Sequence, residues 1–221
     1  MLSNALCCVN KISFPGLASP PKIQVIRSDI SQFDFSTMVS DDNFQNEPSL
    51  KYLFPENEMR RTLLPPFFSS IARSEEISGE VYTADAIEGG VLFVTRGDRF
   101  RFERLVVAAL DTAPFKLDWP ALRRIITLCT RLDGAHERLV IGPHWYVWFI
   151  GPRPSQLGSE IAVAMLQPLL SQADSTGTVC YLETFHQAEL PFFRSFGFRV
   201  EGAGKIPGDG PSFWAMLRMP R

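Results

Sequence analysis

Glu183, His144 and His186 are the residues of this chain whose chemistry and placement suit them to move a proton near neutrality. Glu183 closes the β-prone run Val179 to Glu183, His144 opens the β-prone run His144 to Ile150, and His186 follows just beyond. A carboxylate or imidazole at the rim of a sheet can take a proton from a nucleophile or return one to a leaving group, directly or through a water. Each also has an ordinary reading: His144 as a hydrogen-bonded rim histidine, Glu183 as a strand-end carboxylate in a surface pair, His186 as a solvated loop histidine. Aromatic rings cluster around these positions. Trp145, Tyr146, Trp148 and Phe149 share one run, and Phe185, Phe192, Phe196, Phe213 and Trp214 lie further along. Most belong to a core, and Tyr146 reads as packing. If one alternating set lines a cleft, Trp145, Tyr146, Trp148 and Phe185 make a pocket better suited to a flat or apolar small molecule than to a charged peptide tail.

These residues must be positioned by the elements around them. Ile23, Val25 and Arg27 begin an alternating strand, and Asp29 to Asp42 has the spacing of a modest helix that ends in an Asp-Asp-Asn turn. From Asn57, a plausible cap, Met59, Leu63, Leu64, Phe67, Phe68, Ile71 and Ala72 form a helical apolar stripe that Pro65 and Pro66 must kink or split. Glu80 to Thr83 and Gly90 to Thr95 read as two antiparallel strands joined by a turn at Ala86 to Gly89. Trp119 to Leu132 is a helix with Leu122, Ile125, Ile126, Leu128, Cys129 and Leu132 on one face. There follow a strand at His144 to Ile150, an amphipathic helix at Gln156 to Ala173, a strand at Val179 to Glu183 and a helix at Ala188 to Phe196. Strands at Arg199 to Ala203 and Phe213 to Met219 close the chain.

Composition narrows the partners. The 22 basic and 24 acidic residues nearly cancel and form no block of one sign, which argues against nucleic acid and anionic membrane surfaces. No apolar run reaches the roughly 18 residues of a membrane span. Cys7 and Cys8 are adjacent, no Cys-x-x-Cys pair suggests zinc, and Cys129 and Cys180 lie in apolar stretches, so the expectation is buried thiols, no metal and a cytoplasmic protein. Residues 1–21 read as a loose tail, with a cleaved presequence as the other possibility. Residues 22–221 read as a single domain, since 221 residues suffice to bury about 70% of the unfolded surface.

The order and spacing of His144-Trp145-Tyr146-Val147, Gly151, Pro154, a helix opening at Gly158, Leu182-Glu183, Pro191-Phe192-Phe193 and Gly197-Phe198 resembles the GNAT superfamily of acyl-CoA N-acyltransferases. Upstream, Tyr52-Leu53-Phe54-Pro55, Arg60-Arg61 and Gly79-Glu80-Val81-Tyr82 look like the N-terminal half of its puromycin-acetyltransferase-like branch, so the likeness covers residues 22 to 219. The resemblance implies an α/β fold: a mixed, mostly antiparallel sheet of about seven strands flanked by helices and splayed between the fourth and fifth strands. It also implies acetyl-CoA as cosubstrate, with pantetheine in the split and pyrophosphate on the following helix N-terminus, a place where unpaired N–H groups suit an anion. Ile150, Gly151, Leu157, Gly158, Ser159, Glu160, Ile161, Ala162, Glu189 and Phe193 then fall at cofactor-binding positions. The chain departs from the family at Leu157, where a Gln is usual, at Glu160, where a Gly is usual, and at Phe193, where a Tyr commonly protonates the thiolate; Glu189 replaces an Asn.

Glu160 supports two readings. About 4 Å from a phosphate charge, at an effective dielectric near 20, its carboxylate would oppose binding by roughly 4 kcal/mol. Turned to solvent, it would complement the helix N-terminus by about 0.3 to 1 kcal/mol. The resemblance further implies that Glu183 and His144 border the split and face a shared cavity, where either could deprotonate an amine, while His186 or Tyr181 could replace the missing acid. The leading expectation is an N-acetyltransferase acting on a small aromatic or apolar amine by direct transfer. The alternative is a degenerate member of this fold that no longer transfers acetyl groups and uses its aromatic cleft to bind or rearrange another small molecule. The oligomeric state is open.

Overall fold

A computed structural model of the chain describes residues 25–29, 42–73, 79–84, 91–97, 117–150 and 160–221. In chain order the elements are β1 (Val25–Asp29), α1 (Asp42–Gln45), α2 (Pro48–Leu53), α3 (Asn57–Arg73), β2 (Gly79–Ala84), β3 (Val91–Gly97), α4 (Trp119–Leu139), β4 (His144–Ile150), α5 (Glu160–Thr176), β5 (Val179–Thr184), a 3₁₀ turn (Gln187–Glu189), α6 (Leu190–Ser195), β6 (Arg199–Lys205) and β7 (Ser212–Arg218). The strands lie in the order β1-β2-β3-β4-β5-β7-β6. The sheet is mixed: β4 and β5 run parallel, in register from His144 beside Val179 to Val147 beside Leu182, while their other neighbours are antiparallel.

Alternation along β4 and β5 divides the core in two. Trp145, Val147, Cys180 and Leu182 point to one face, where α5 presses Met165, Leu166, Leu169, Leu170 and Ala173 against them. Tyr146 and Tyr181 point to the other, which is covered by α4 through Ile125, Leu128, Cys129, Leu132 and Ala135 together with Leu53, Phe54 and Leu64 of the α2–α3 region. Two-residue periodicity thus assigns each strand side chain its layer. Burying a Leu such as Leu166 or Leu169 stabilises the α5 layer by about 1.5 to 3 kcal/mol.

The helix α4 extends to Leu139, seven residues beyond the Leu132 end expected from its periodicity, because the buried stripe continues through Ala135 and His136. Asp118 caps it, accepting a hydrogen bond from the Ala121 amide at 2.8 Å, and Pro120 stands in the first turn where no intrahelical N–H is required. Asp118→Ala is expected to cost about 1 kcal/mol, read as a lower urea midpoint at unchanged slope. The chain leaves α4 through Gly142, whose φ of 92° lies in the left-handed region.

In α3 the structure differs from the sequence expectation in two respects. Asn57 is the first helical residue rather than the cap, since the first intrahelical bond runs from the Arg60 amide to the Glu56 carbonyl. The helix also continues through Pro65 and Pro66 without splitting; Leu63 and Leu64, both buried, anchor it just before that point. Arg60, 5% exposed, donates from Nη1 to the carbonyls of Phe54 and Pro55 at 2.6 and 2.5 Å, fastening the end of α2 to the start of α3. Asp42, expected to end a helix, instead begins the short α1. The expected 188–196 helix is a 3₁₀ turn followed by α6, with Pro191 in the first turn of α6. The expected hairpin turn at 86–89, the body of the 29–42 helix and the start of the 156–173 helix fall outside the described residues. No helix among the described residues is long and apolar enough to cross a membrane.

Candidate active site

Parallel pairing of β4 with β5 sets Tyr146 beside Tyr181 on the face covered by α4, and Glu183, two residues after Tyr181, follows on the same face. Both phenols turn towards its carboxylate. Tyr181 Oη donates to one oxygen at 2.6 Å, and Tyr146 Oη donates to the other in a short hydrogen bond. Glu183 is partly buried, whereas Tyr146 and Tyr181 are 3% and 0% exposed. Burial pushes the Glu183 carboxyl up to about 7; the bonds from Tyr146 and Tyr181 oppose this and the nearby Asp133 charge reinforces it. Burial, then the Glu183 charge, holds both tyrosines well above the ordinary phenol value, so they remain protonated donors. The result is a carboxyl that exchanges a proton near neutral pH and is gripped from two sides.

His144 lies on the same face of β4, two residues before Tyr146, and is 3% exposed. Its Nδ1 is 2.8 Å from the Gly142 carbonyl oxygen and its Nε2 is 2.7 Å from Nε2 of His136, on α4. The His136 ring stacks on Tyr181 at 4.3 Å with planes 6° apart, and stands 4.9 Å from the Tyr146 ring. His144 and Glu183 therefore belong to one cluster, linked through His136 and the two tyrosines, with both nitrogens of His144 engaged. His136 was missed from sequence because the expected helix ends at Leu132, seven residues short of the end of α4. Its signal was the helical spacing from Leu132, which puts it on the stripe. Tyr146, read as packing, also carries a polar contact, foreshadowed by its alternation with His144 on a strand beside one bearing Tyr181 and Glu183.

His186 stands apart from this cluster. Its Nε2 lies 2.8 Å from an oxygen of Glu47, which raises its pKa, and its backbone amide donates to Thr184 Oγ1 at 3.1 Å. The Thr184 hydroxyl donates to Glu189 at 2.5 Å, and burial pushes Glu189 up to about 7 against the effects of Thr184 and His186. This tie joins the residue preceding α2 to the turn after β5. Phe185 packs beside the α4-side core, its ring 6.4 Å from Phe213. Trp145 and Phe193 are buried in the α5-side core, so the structure separates Trp145 from Tyr146 and Phe185. Phe193 meets Phe198 edge-on at 6.1 Å. Ala162 is fully buried in the first turn of α5. Trp148 and Ile150 lie in β4, and Glu160 and Ile161 open α5. Gly151, Leu157, Gly158 and Ser159 fall outside the described residues. No group of three or more His, Cys, Asp or Glu among the described residues is placed to hold a metal ion.

No protein-family model matches the chain. An uncharacterised N-acetyltransferase of Schizosaccharomyces pombe is 25% identical over 167 residues, which cover 71% of this chain and 66% of that protein, just under two thirds of its length. Among solved structures, a histone acetyltransferase and related acetyltransferase from Corynebacterium glutamicum superposes with a TM-score of 0.56 at 20% identity, over 90% of this chain and 97% of its own. The arylalkylamine N-acetyltransferase 2 of Aedes aegypti gives 0.57 at 10% identity, over 90% and 100% of the two chains. A Drosophila melanogaster polyamine N-acetyltransferase that forms N-acetylagmatine gives 0.55 at 12%, over 89% and 100%.

Proposed function

The chain has the mixed α/β fold of the GNAT superfamily of N-acetyltransferases, and from that premise we propose that it transfers acetyl from acetyl-CoA directly to a small, aromatic or apolar amine. One observation carries the reading: a carboxylate at the end of β5, poised near neutrality and held by two buried phenols. An alkyl ammonium must lose a proton before it can attack a thioester, and a base with a pKa close to the working pH is suited to take it. Glu183 accepts that proton, directly or through a water, and the nitrogen lone pair then attacks the thioester carbonyl carbon. As the C–S bond breaks, the sulfur leaves with the bonding pair, and the second nitrogen proton balances it as thiol. Phe193 occupies the position of the usual acid and has no proton to give, so thiolate protonation falls to water or a neighbouring group; a thiol of pKa about 8.5 leaves acceptably without a dedicated donor. His186, in the turn after β5 and bonded to Glu47, is one candidate, and Tyr181 is the other.

In this reading the sheet has seven strands and opens between β4 and β5 beyond Val147 and Leu182, giving pantetheine its place. The parallel β4–β5 register and the fully buried Ala162, which lets α5 approach the sheet closely, support that placement. Pyrophosphate would meet the backbone from Leu157 to Ala162. The buried, unpaired Cys129 and Cys180 suit a reducing cytoplasm. The amines named for the Aedes and Drosophila proteins accord with an amine acceptor. Glu160→Gly is expected to tighten acetyl-CoA about tenfold, because it removes both a charge and a side chain from the pyrophosphate path; calorimetric titration measures it. Failure of the wild type to bind acetyl-CoA, and to release thiol with any of a panel of arylalkylamines, would overturn the proposal.

A further inference from the structure

The buried stripe of α4 consists of Ala121, Ile125, Leu128, Cys129, Leu132, Ala135 and His136, so an imidazole ends an otherwise apolar series. A Leu there would pack as well without taking ring nitrogens out of water. We propose that His136 is a positioning residue of this site: hydrogen-bonded to His144 and stacked on Tyr181, it holds both phenols in the orientation in which they grip Glu183. The proposal rests on the acetyl-transfer reading for its kinetic consequence, though not for its geometry.

Hydrogen-bond roles follow from the partners. The Gly142 carbonyl can only accept, so Nδ1 of His144 carries a hydrogen and donates. In the neutral ring, Nε2 of His144 is then the acceptor, and the hydrogen between the two histidines belongs to Nε2 of His136. Burial and the neighbouring His144 push the His136 pKa down to about 4, in keeping with a neutral His136 ring. This bond fixes the plane of the His136 ring. The plane in turn lies parallel to Tyr181, 6° away, and meets Tyr146 at 52°, so one imidazole touches both tyrosines whose hydroxyls donate to Glu183. Among the described residues, the other charged groups acting on this cluster are Asp133, which raises the pKa of Glu183, Tyr146 and Tyr181, and Arg138, which lowers that of Tyr181.

His136→Leu keeps the space apolar but removes ring and donor, while His136→Phe keeps a ring and loses only the bond to His144. Phenol bonds hold the Glu183 pKa down, so loosening them must raise it. An infrared difference titration of the Glu183 carboxyl in the full chain, with Glu183→Gln as blank, should show the midpoint about one pH unit higher in His136→Leu and shifted less than half as far in His136→Phe. At pH 7, kcat/KM for the amine should drop about fivefold in the Leu variant and recover as pH passes the shifted midpoint, with KM for acetyl-CoA constant within twofold. A merely structural loss would lower activity equally at every pH. Nitrogen NMR of the wild type should find the His136 hydrogen on Nε2, a measurement that stands even where the Leu variant fails to fold. A shifted midpoint in a chain that transfers no acetyl would uphold the positioning role and remove only the transfer reading. A His136 hydrogen on Nδ1, or an unmoved midpoint in an active enzyme, would overturn the proposal.

Discussion

Glu183→Gln is expected to slow turnover with an amine acceptor about 10²-fold or more, while acetyl-CoA affinity changes far less. The amide keeps the outline of the carboxylate but cannot take a proton. It also offers only one oxygen to two phenol donors, so either Tyr146 or Tyr181 must meet an NH₂ group. The pH profile gives the sharper test. Below its pKa of about 7 Glu183 is protonated and cannot act as a base; above it, the carboxylate is available. With an aniline-type acceptor, already neutral across the range, the same carboxylate takes the nitrogen proton that is released as the C–N bond forms, so kcat/KM should rise with pH and level off past about 7 in the wild type, and this limb should vanish in Glu183→Gln. Stability should move the opposite way. A carboxyl whose folded pKa of about 7 lies above its ordinary 4.5 favours folding below the ordinary value and loses that contribution as pH rises through 7. At pH 8 the Gln variant should therefore be the more stable protein, by about 1 to 2 kcal/mol after allowing for water around a partly buried group; at pH 4 the advantage should be gone. A wild-type profile flat through pH 7 would remove Glu183 from the role of base.

Strand periodicity made much of this arrangement legible. Val179 to Glu183 and His144 to Ile150 announce themselves by β-branched and aromatic residues, and the order of elements after Trp119 leads to the parallel β4–β5 pair. Glu183 and His144 were singled out by residue type and position at strand ends. What sequence did not disclose was how they meet. His136 shares no local motif with them and reaches the cluster only because α4 crosses that face of the sheet, a tertiary fact invisible to a window of one helix. The tie from His186 to Glu47 spans 139 residues, and no periodicity links the two. Likewise Tyr146 has the pattern of a core aromatic and is buried like one, but its hydroxyl reaches across to the neighbouring strand. Alternation showed which residues share a face; which polar tips touch depends on register, and register was fixed only by the pairing of Tyr146 with Tyr181.

The largest stability loss is expected from Asp174→Ala, at the opposite end of β5 from Glu183. Arg218, 3% exposed, closes β7 and donates from both terminal nitrogens to the two oxygens of Asp174, at 2.8 and 2.7 Å, and from Nε to the Phe196 carbonyl at 2.9 Å. Asp174 also accepts the Arg221 amide at 2.9 Å, so its carboxylate joins the last turns of α5 to the end of β7, and Arg218 carries the link on to the turn after α6. Removing it leaves a buried guanidinium with only the Phe196 carbonyl and the Cys180 sulfur beside it among the described residues, and breaking such a pair typically costs about 3 to 5 kcal/mol; the 30% exposure of Asp174 places the expectation at about 3. Arg218→Met should cost less, about 1 to 2 kcal/mol, because it removes the buried charge and leaves behind a carboxylate that water can reach. Urea unfolding at pH 7 should show both midpoints lowered at similar slope, Asp174→Ala the more so. The bond from Arg218 holds the Asp174 carboxyl below its ordinary 3.8, so its contribution is present above that value and fades as pH falls through the depressed one. Wild type and Asp174→Ala should accordingly differ fully at pH 6 and converge in strong acid. A larger loss in Arg218→Met than in Asp174→Ala would mean that the packing of the arginine stem, rather than its charge, holds these elements together.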